Sequence, residues 1–291
     1  MKSRLLSVEA VCPTYGRFTR LRDAIACFLL QDYTGEKQLS ILNDVHIPLQ
    51  LTTDSNTITI QEASGSTTSI VLTNVDKRFP TVGQKRQALA DSARLDIIAH
   101  WDDDDLFLPW HITTFATILQ ARPEIDCVKS RRAFRVTKRP DRLRVARITN
   151  NVYDGQMFYR RGTAIDYPNK VRSVPKDLIR DYRERGKLDK CPTMPISEFS
   201  YLYRCSDGMR HLCRIGSNRV RSAVVQKMFY IGNKDFGEGK ILLPDDDFLN
   251  WARKHIRNQF EQFVSSLALI VRAEIVDSIS LRIQKRLEKN E

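Results

Sequence analysis

The apolar run at residues 95–99 (LDIIA) ends directly in His100-Trp101-Asp102-Asp103-Asp104-Asp105. Four carboxylates in succession repel one another, since two unit charges about 4 Å apart interact by about 4 kcal/mol at an effective dielectric near 20. A fold that carries this run to the end of a buried strand must bring positive charge to meet it. Asp102 and Asp104 stand two apart, so at a strand end they point to one side. There they can hold a hard divalent cation, Mg²⁺ or Mn²⁺, between themselves and a ligand phosphate. The plainer explanation, an acidic start to a helix near Leu106-Phe107-Leu108-Pro109, needs only Asp105.

The surrounding pattern alternates strand and helix. Residues 7–12 (SVEAVC) read as a strand halted by Pro13. Leu21, Ala24, Ile25, Phe28 and Leu29 then fall at i, i+3, i+4, i+7 and i+8, which predicts an amphipathic helix over 17–31. Residues 39–42 (LSIL) predict a second strand ending at Asn43 and Asp44. Weak alternation over 50–75 around Gly65 predicts a hairpin-like extension, 83–93 a helix, 95–99 a buried strand and 110–120 another helix. Polar residues thus gather at the carboxyl ends of strands, where open α/β sheets place their ligands.

Beyond residue 128 the chain turns basic, with short strands expected at 144–149, 156–160 and 224–231 and helices near 176–186 and 197–206. From Asp245 a long helix is expected. Trp251, Ile256, Phe260, Phe263, Leu267 and Ile270 keep near-heptad spacing, and Ile275, Ile279, Ile283 and Leu287 follow at four-residue steps. Such a stripe packs on its own domain, forms a homodimer or lies on a membrane surface. Asp245-Asp246-Asp247 reads as its acidic first turn. The expected organisation is one α/β domain over 1–243, divided at 128/129, and a helical segment over 244–291.

Composition narrows the class. With 291 residues, 42% hydrophobic and 28% charged, collagen-like and disordered chains are excluded. No apolar run, 267–271 included, approaches the roughly 20 residues that span a bilayer, so no transmembrane segment is expected. Glu9 breaks the apolar part of the N-terminus, which reads as a first strand rather than a signal peptide. The six cysteines lack any C-x-x-C pair and read as reduced thiols, implying a cytoplasmic setting, at most peripheral to a membrane. Cys205, His211 and Cys213 lack zinc-site spacing. The net charge of +12 comes entirely from residues 129–187, with 18 basic and 6 acidic residues. That segment reads either as a solvated face or as a docking surface for an anionic partner.

Four segments, VCPTYGRFTRLRDAIACFLLQDY, ILND, FPTVGQKRQAL and IIAHWDDDDLFLP, stand in the order and spacing found in family-two glycosyltransferases of the GT-A fold. The chain resembles that family over about residues 7–122. The resemblance implies a Rossmann-like, mostly parallel sheet flanked by helices, with 1–128 as the nucleotide-sugar-binding half and 129–243 as the acceptor side. It implies transfer of a sugar from a nucleotide diphosphate sugar, a UDP-sugar by preference, to an acceptor hydroxyl with inversion and a divalent metal, Mn or Mg. By position it sets Pro13, Thr14, Tyr15 and Arg17 beside the nucleotide, Asp44 on the base, Lys85 and Arg86 facing the nucleotide, and Asp102 and Asp103 at the donor. Asp102 and Asp104 would hold the metal. The family's D-D-G-S ending is here Asn43-Asp44-Val45-His46. Its E-D pair, which opens a helix and supplies the general base, is matched by Ser197-Glu198, making Glu198 the catalytic residue and Asp207 the spare. The late metal-shell histidine has no match in Phe229-Tyr230-Ile231-Gly232-Asn233, and His211 is a weak substitute. The acceptor is a glycan, a lipid-phosphate intermediate, a protein or a nucleic acid bearing a modified base. Two other classes stay open: a non-catalytic nucleic-acid-binding protein, and a metal-dependent nuclease or phosphotransferase using the same carboxylates.

Overall fold

The computed structural model describes residues 4–15, 18–45, 48–51, 56–62, 65–130, 133–139, 142–149, 156–163, 166–169, 174–191, 194–195, 198–206, 240–241, 243, 246–247 and 249–256. The first strand, β1 (Val8–Thr14), runs on through Pro13, further than the sequence implied. Its parallel ladder to β6 (Ile97–His100) ends at the Val11–His100 pair. Trp101 N donates to Val11 O, so Val11 and each second residue turn toward β6. Pro13 shares that parity, and its missing N–H falls where the ladder has already stopped.

Helix α1 (Phe18–Leu29) buries its expected stripe and leads into β2 (Lys37–Asn43), paired in parallel with β1 along its length. After the short β3 (Gln50–Leu51), the 50–75 region forms the expected hairpin of β4 (Thr57–Gln61) and β5 (Thr67–Asn74), its turn using Gly65 at φ +81°. Helix α2 (Val82–Ser92) starts at Thr81, whose hydroxyl accepts from Gln84 N. Beyond β6 come β7 (Leu106–Phe107), α3 (His111–Ala121) and β8 (Cys127–Lys129). They are followed by β9 (Ala133–Arg139), β10 (Arg142–Thr149), β11 (Met157–Arg160), α4 (Val174–Glu184), β12 (Leu188–Asp189), β13 (Tyr201–Ser206) and β14 (Lys240–Ile241).

The main sheet has the order β12-β8-β11-β6-β1-β2-β5-β4. Its centre, β6-β1-β2-β5, is parallel, and β11 enters antiparallel between β8 and β6. This is the mostly parallel, helix-flanked α/β sheet that the sequence led us to expect. The sheet draws β11 and β12 from beyond residue 128, so both halves of the expected domain build one layer. Its two faces carry separate cores. Leu21, Ile25 and Phe28 of α1 and Ile112 and Phe115 of α3 pack with Val8 and Ala10 on one side. Leu89 of α2 and Leu178 and Tyr182 of α4 pack with Val11 and Ile98 on the other. From β1 the chain first adds β2 and β5 on one flank and then returns to place β6 on the other. The crevice at the carboxyl ends of β1 and β6 is therefore a topological switch point.

A second, four-stranded sheet has the order β10-β9-β13-β7. Here the structure corrects the helix expected over 197–206. Leu202 pairs with Leu106 on one flank and with Phe134 on the other, and residues 201–206 are a strand. Tyr201 and Tyr203 suit a pleated, half-buried surface, and two partners outbid helical spacing. Residues 249–256 are helical as expected, with Leu249, Ala252 and Ile256 buried in the α1-side core. Arg253 Nη2 donates to Leu29 O at 3.2 Å, adding positive charge at the end of α1. That part of the C-terminal segment packs on its own domain. The expected strand at 224–231 and the rest of the C-terminal helix lie outside the described residues.

Two buried side chains tie α1 to the strand ends. Gln31 donates to Leu108 O at 2.9 Å and accepts from Ile112 N at 2.9 Å, satisfying an orphan amide of α3. Trp101 is fully buried, stacks on Phe107 at 3.8 Å between ring centroids and donates from Nε1 to Ala24 O at 3.0 Å. Trp101→Ala should cost about 3–5 kcal/mol. In a urea titration that is a lower midpoint at an unchanged slope.

Candidate active site

The four aspartates that follow β6 are each met by a partner from a different element. Arg86 of α2 places Nη2 at 2.5 Å from Asp102 Oδ1. Thr14 at the end of β1 donates its hydroxyl to Asp103 Oδ2 at 2.7 Å. Arg20 of α1 sets Nη1 at 3.9 Å from Asp104 Oδ2. Tyr201 of β13 donates its hydroxyl to Asp105 Oδ2. The partners alternate in kind, guanidinium for the even positions and hydroxyl for the odd ones. Exposure follows the same alternation: the side chains of Asp102 and Asp104 are 17% and 13% exposed, whereas Asp103 is fully and Asp105 almost fully buried. The tip thus leaves one carboxylate pair slightly exposed and seats the other fully in the fold.

Burial holds the Tyr201 hydroxyl well above its ordinary pKa, and the neighbouring Asp105 charge pushes the same way, so Tyr201 remains a donor. Behind Arg86, His100 accepts at Nδ1 from Arg86 Nη1 at 3.0 Å. A guanidinium only donates, so the ring proton sits on Nε2 and is given to Tyr167 Oη at 2.6 Å. Tyr167 in turn lies 2.7 Å from Tyr159 Oη. His100 is therefore a packed strand residue with a definite task, orienting the guanidinium that meets Asp102.

Asp44 and Lys85 form a second buried pair at 2.5 Å. Lys85 also donates to Thr14 O, and Asp44 Oδ2 accepts from Phe79 N at 3.1 Å. Burial lowers the Lys85 pKa from its ordinary value, and the hydrogen bond and charge of Asp44 oppose that shift. Next to this pair, Tyr15 is 45% exposed, with the Arg78 guanidinium 4.2 Å above its ring centre. Tyr15, with Arg78 over it, half-buried Pro13 and the Asp102–Asp104 pair thus gather at the carboxyl ends of β1 and β6.

The residues expected from sequence separate accordingly. Tyr15, Asp44, Lys85, Arg86, Asp102 and Asp104 meet at one end of the sheet. Thr14 and Asp103 are there as well, but bonded to each other in the interior, which makes them supports. Arg17 lies outside the described residues, as do Asp207 and His211. Glu198 is exposed, its amide bonded to Pro195 O, ahead of β13 rather than at a helix start. The register leads from the Leu202–Leu106 pair back past Ser200 O, which accepts from Leu108 N, so Glu198 sits toward the start of α3 and away from the aspartates. Sequence reasoning missed Arg20, Arg78, Tyr167 and Tyr201. The single available signal was the need for cations near four acids, which does not say where they come from.

Among the described residues no three His, Cys, Asp or Glu side chains come together as a metal site. Two carboxylates from one turn nevertheless fit Mg²⁺ or Mn²⁺, which take one or two protein carboxylates and fill the remaining positions with phosphate oxygen and water. They do not fit zinc or a closed protein cage.

No family model and no curated protein matches the sequence. Several solved structures superpose on the chain in part. TarS 1–349 of S. aureus superposes with a TM-score of 0.46 at 12% identity, over 68% of this chain and 60% of that one. The mannosyltransferase PcManGT of Pyrobaculum calidifontis, in complex with GDP-Man and Mn²⁺, gives 0.45 at 11% identity, over 69% and 57%. Glucosyl-3-phosphoglycerate synthase of Mycobacterium tuberculosis, in complex with UDP, gives 0.43 at 14% identity, over 78% and 77%. The chain therefore spans less than two thirds of the length of the first two.

Asp44→Asn strands Lys85 in the interior and should cost about 3–5 kcal/mol. Removing both charges in Asp44→Asn/Lys85→Met should cost less than the sum of the two single changes. A urea double-mutant cycle measures that coupling.

Proposed function

We propose that this chain is a divalent-metal-dependent glycosyltransferase that moves a sugar from a nucleotide diphosphate sugar to an acceptor hydroxyl. The observation that carries the reading is the alternation at the acidic tip. Asp103 and Asp105 are fixed inward by hydroxyls, whereas Asp102 and Asp104, each met by an arginine, keep 17% and 13% of their side chains exposed at the carboxyl end of β6.

In this reading Asp102 and Asp104 would hold Mn²⁺ or Mg²⁺, and the ion would supply Lewis-acid stabilisation of negative charge on the diphosphate. The chain's own groups do the rest. Arg86, oriented by His100, keeps Asp102 in place and ionised before the donor arrives. Asp44, fixed by Lys85 and Phe79 N, offers acceptor oxygens to the base, and exposed Tyr15 lies where its ring meets the nucleoside. Glu198 is the proposed general base, taking the acceptor hydroxyl's proton on a carboxylate oxygen as the sugar carbon is attacked from the face opposite the diphosphate. Its carboxylate is exposed and so open to an acceptor.

Metal-dependent release of nucleotide from UDP-glucose, GDP-mannose or a related donor tests the reading. Activity that needs Mn²⁺ or Mg²⁺ and falls at least about 10³-fold in Asp104→Ala supports it, since several kcal/mol of charge stabilisation would be lost. Metal-dependent cleavage of DNA with no donor consumed would assign the tip to a nuclease. Glu198→Gln should lower transfer about 10²- to 10⁴-fold and leave donor KM unchanged. Full transfer in that variant would move the base to another residue.

A further inference from the structure

We infer that β4 is the interface of a symmetric dimer, in which the edge strands of two copies of this chain pair antiparallel and join their main sheets. The inference does not depend on the glycosyl-transfer reading. The main sheet ends at β12 on one side and β4 on the other, and the two edges differ. Edge β12 is two residues long and carries Asp189, which is bound by Arg122. Edge β4 is five residues long, Thr57-Ile58-Thr59-Ile60-Gln61, with no charge and no proline, and every residue but half-buried Ile58 is exposed. Shortness, charge and proline are common devices that keep a sheet edge from pairing, and β4 has none of them. Ile60, 38% exposed, is one of four exposed large apolar residues among the described ones, while Ile58 packs on the α1-side core.

The ladder fixes which backbone groups face outward. Leu72 N donates to Asn56 O and Glu62 N donates to Ser66 O, at the two ends of the β4–β5 pairing. Hydrogen-bonded pairs recur at every second residue, so Ile58–Ile70 and Ile60–Thr68 are the bonded pairs between them. The N–H and C=O of Thr57, Thr59 and Gln61 therefore point away from β5, and no described strand pairs with that side. The segment reads almost alike from either end, so a copy turned about a two-fold axis at Thr59 presents the same order to it. The two Thr59 residues then exchange their N–H···O bonds, and Thr57 faces Gln61. Ile58 stands opposite Ile60 of the second copy on both sides of the axis, in the non-bonded pairs where side chains come closest. The α1-side core is thereby extended over Ile60. Asn56 falls opposite Glu62, already paired with Lys37, so no like charges meet. A foreign strand would use the same amides without calling for a palindrome. With β12 protected the assembly closes at two, and the antiparallel join leaves the carboxyl ends of the two sheets facing opposite ways.

Sedimentation velocity over a protein concentration series is the test. A join of this length buries less than the roughly 1,200 Å² of a standard complex, so the dimer should have an affinity between about 1 μM and 1 mM and dissociate on dilution. The native chain should pass from monomer to dimer as its concentration rises through that range, with no larger species. Ile60→Lys sets a charge against Ile58 of the second copy, and Thr59→Pro removes an outward N–H while leaving the β5 ladder intact. Both variants should stay monomeric at every concentration, with the far-ultraviolet circular dichroism of the native chain. Thr59→Cys oxidised with copper phenanthroline should give a disulfide-linked dimer on a non-reducing gel, since the paired Cα atoms would lie about 5.5 Å apart, and Thr57→Cys should not. A native chain that stays monomeric throughout overturns the inference. So does a dimer that survives both substitutions, a Thr57→Cys chain that cross-links as readily as Thr59→Cys, or growth beyond two copies.

Discussion

Neutralisation of Asp102-Asp103-Asp104-Asp105 is the constraint on which the rest of this molecule depends. Carboxylates this close cannot be buried together without compensation, and the desolvation of each exceeds what any single partner returns. The fold answers by sending one donor from each of four elements, α2, β1, α1 and β13, to the same strand end. Packing of both helical layers and joining of the two sheets therefore converge on a few side chains. A change at the tip is felt as a change in how layers meet, beyond the loss of one contact.

Burial and partial exposure are divided between alternate residues. Hydroxyl donors suit the inward positions, because a hydroxyl satisfies a carboxylate in a small space without adding a further buried charge. Guanidinium suits the partly exposed positions, where it offsets the charge of a carboxylate that keeps some contact with solvent. Arg86 does not act alone: His100, Tyr167 and Tyr159 extend behind it as a chain of hydrogen bonds, and because arginine only donates, the His100 proton lies on Nε2 toward Tyr167. Such a chain fixes a side chain more firmly than packing alone.

Much of this was legible in the sequence, for reasons that can be stated. The helices at α1, α2 and α3 and the strands β1, β2 and β6 follow from apolar periodicity, because their burial is decided by local pattern. The placement of Asp44 and Asp102 at strand ends follows from where those patterns stop. What could not be read is pairing over long separations. Residues 201–206 carry spacing compatible with a helix, and only the presence of Leu106 and Phe134 on either side makes them a strand. The same holds for Tyr201 and Arg20 as partners of the tip, and for Asp103, whose number in the row says nothing of Thr14 waiting inside. Glu198 was placed by resemblance to a helix start that this chain does not form there.

The most direct measurement of the central claim is a crystal structure of the chain grown with Mn²⁺ and UDP, read for anomalous scattering at the tip. The account predicts one manganese bound between Asp102 and Asp104 and touching the diphosphate, with Asp103 and Asp105 still on Thr14 and Tyr201. A tip with no anomalous peak, and with Arg86 and Arg20 still closed on Asp102 and Asp104 over bound or absent nucleotide, would contradict it.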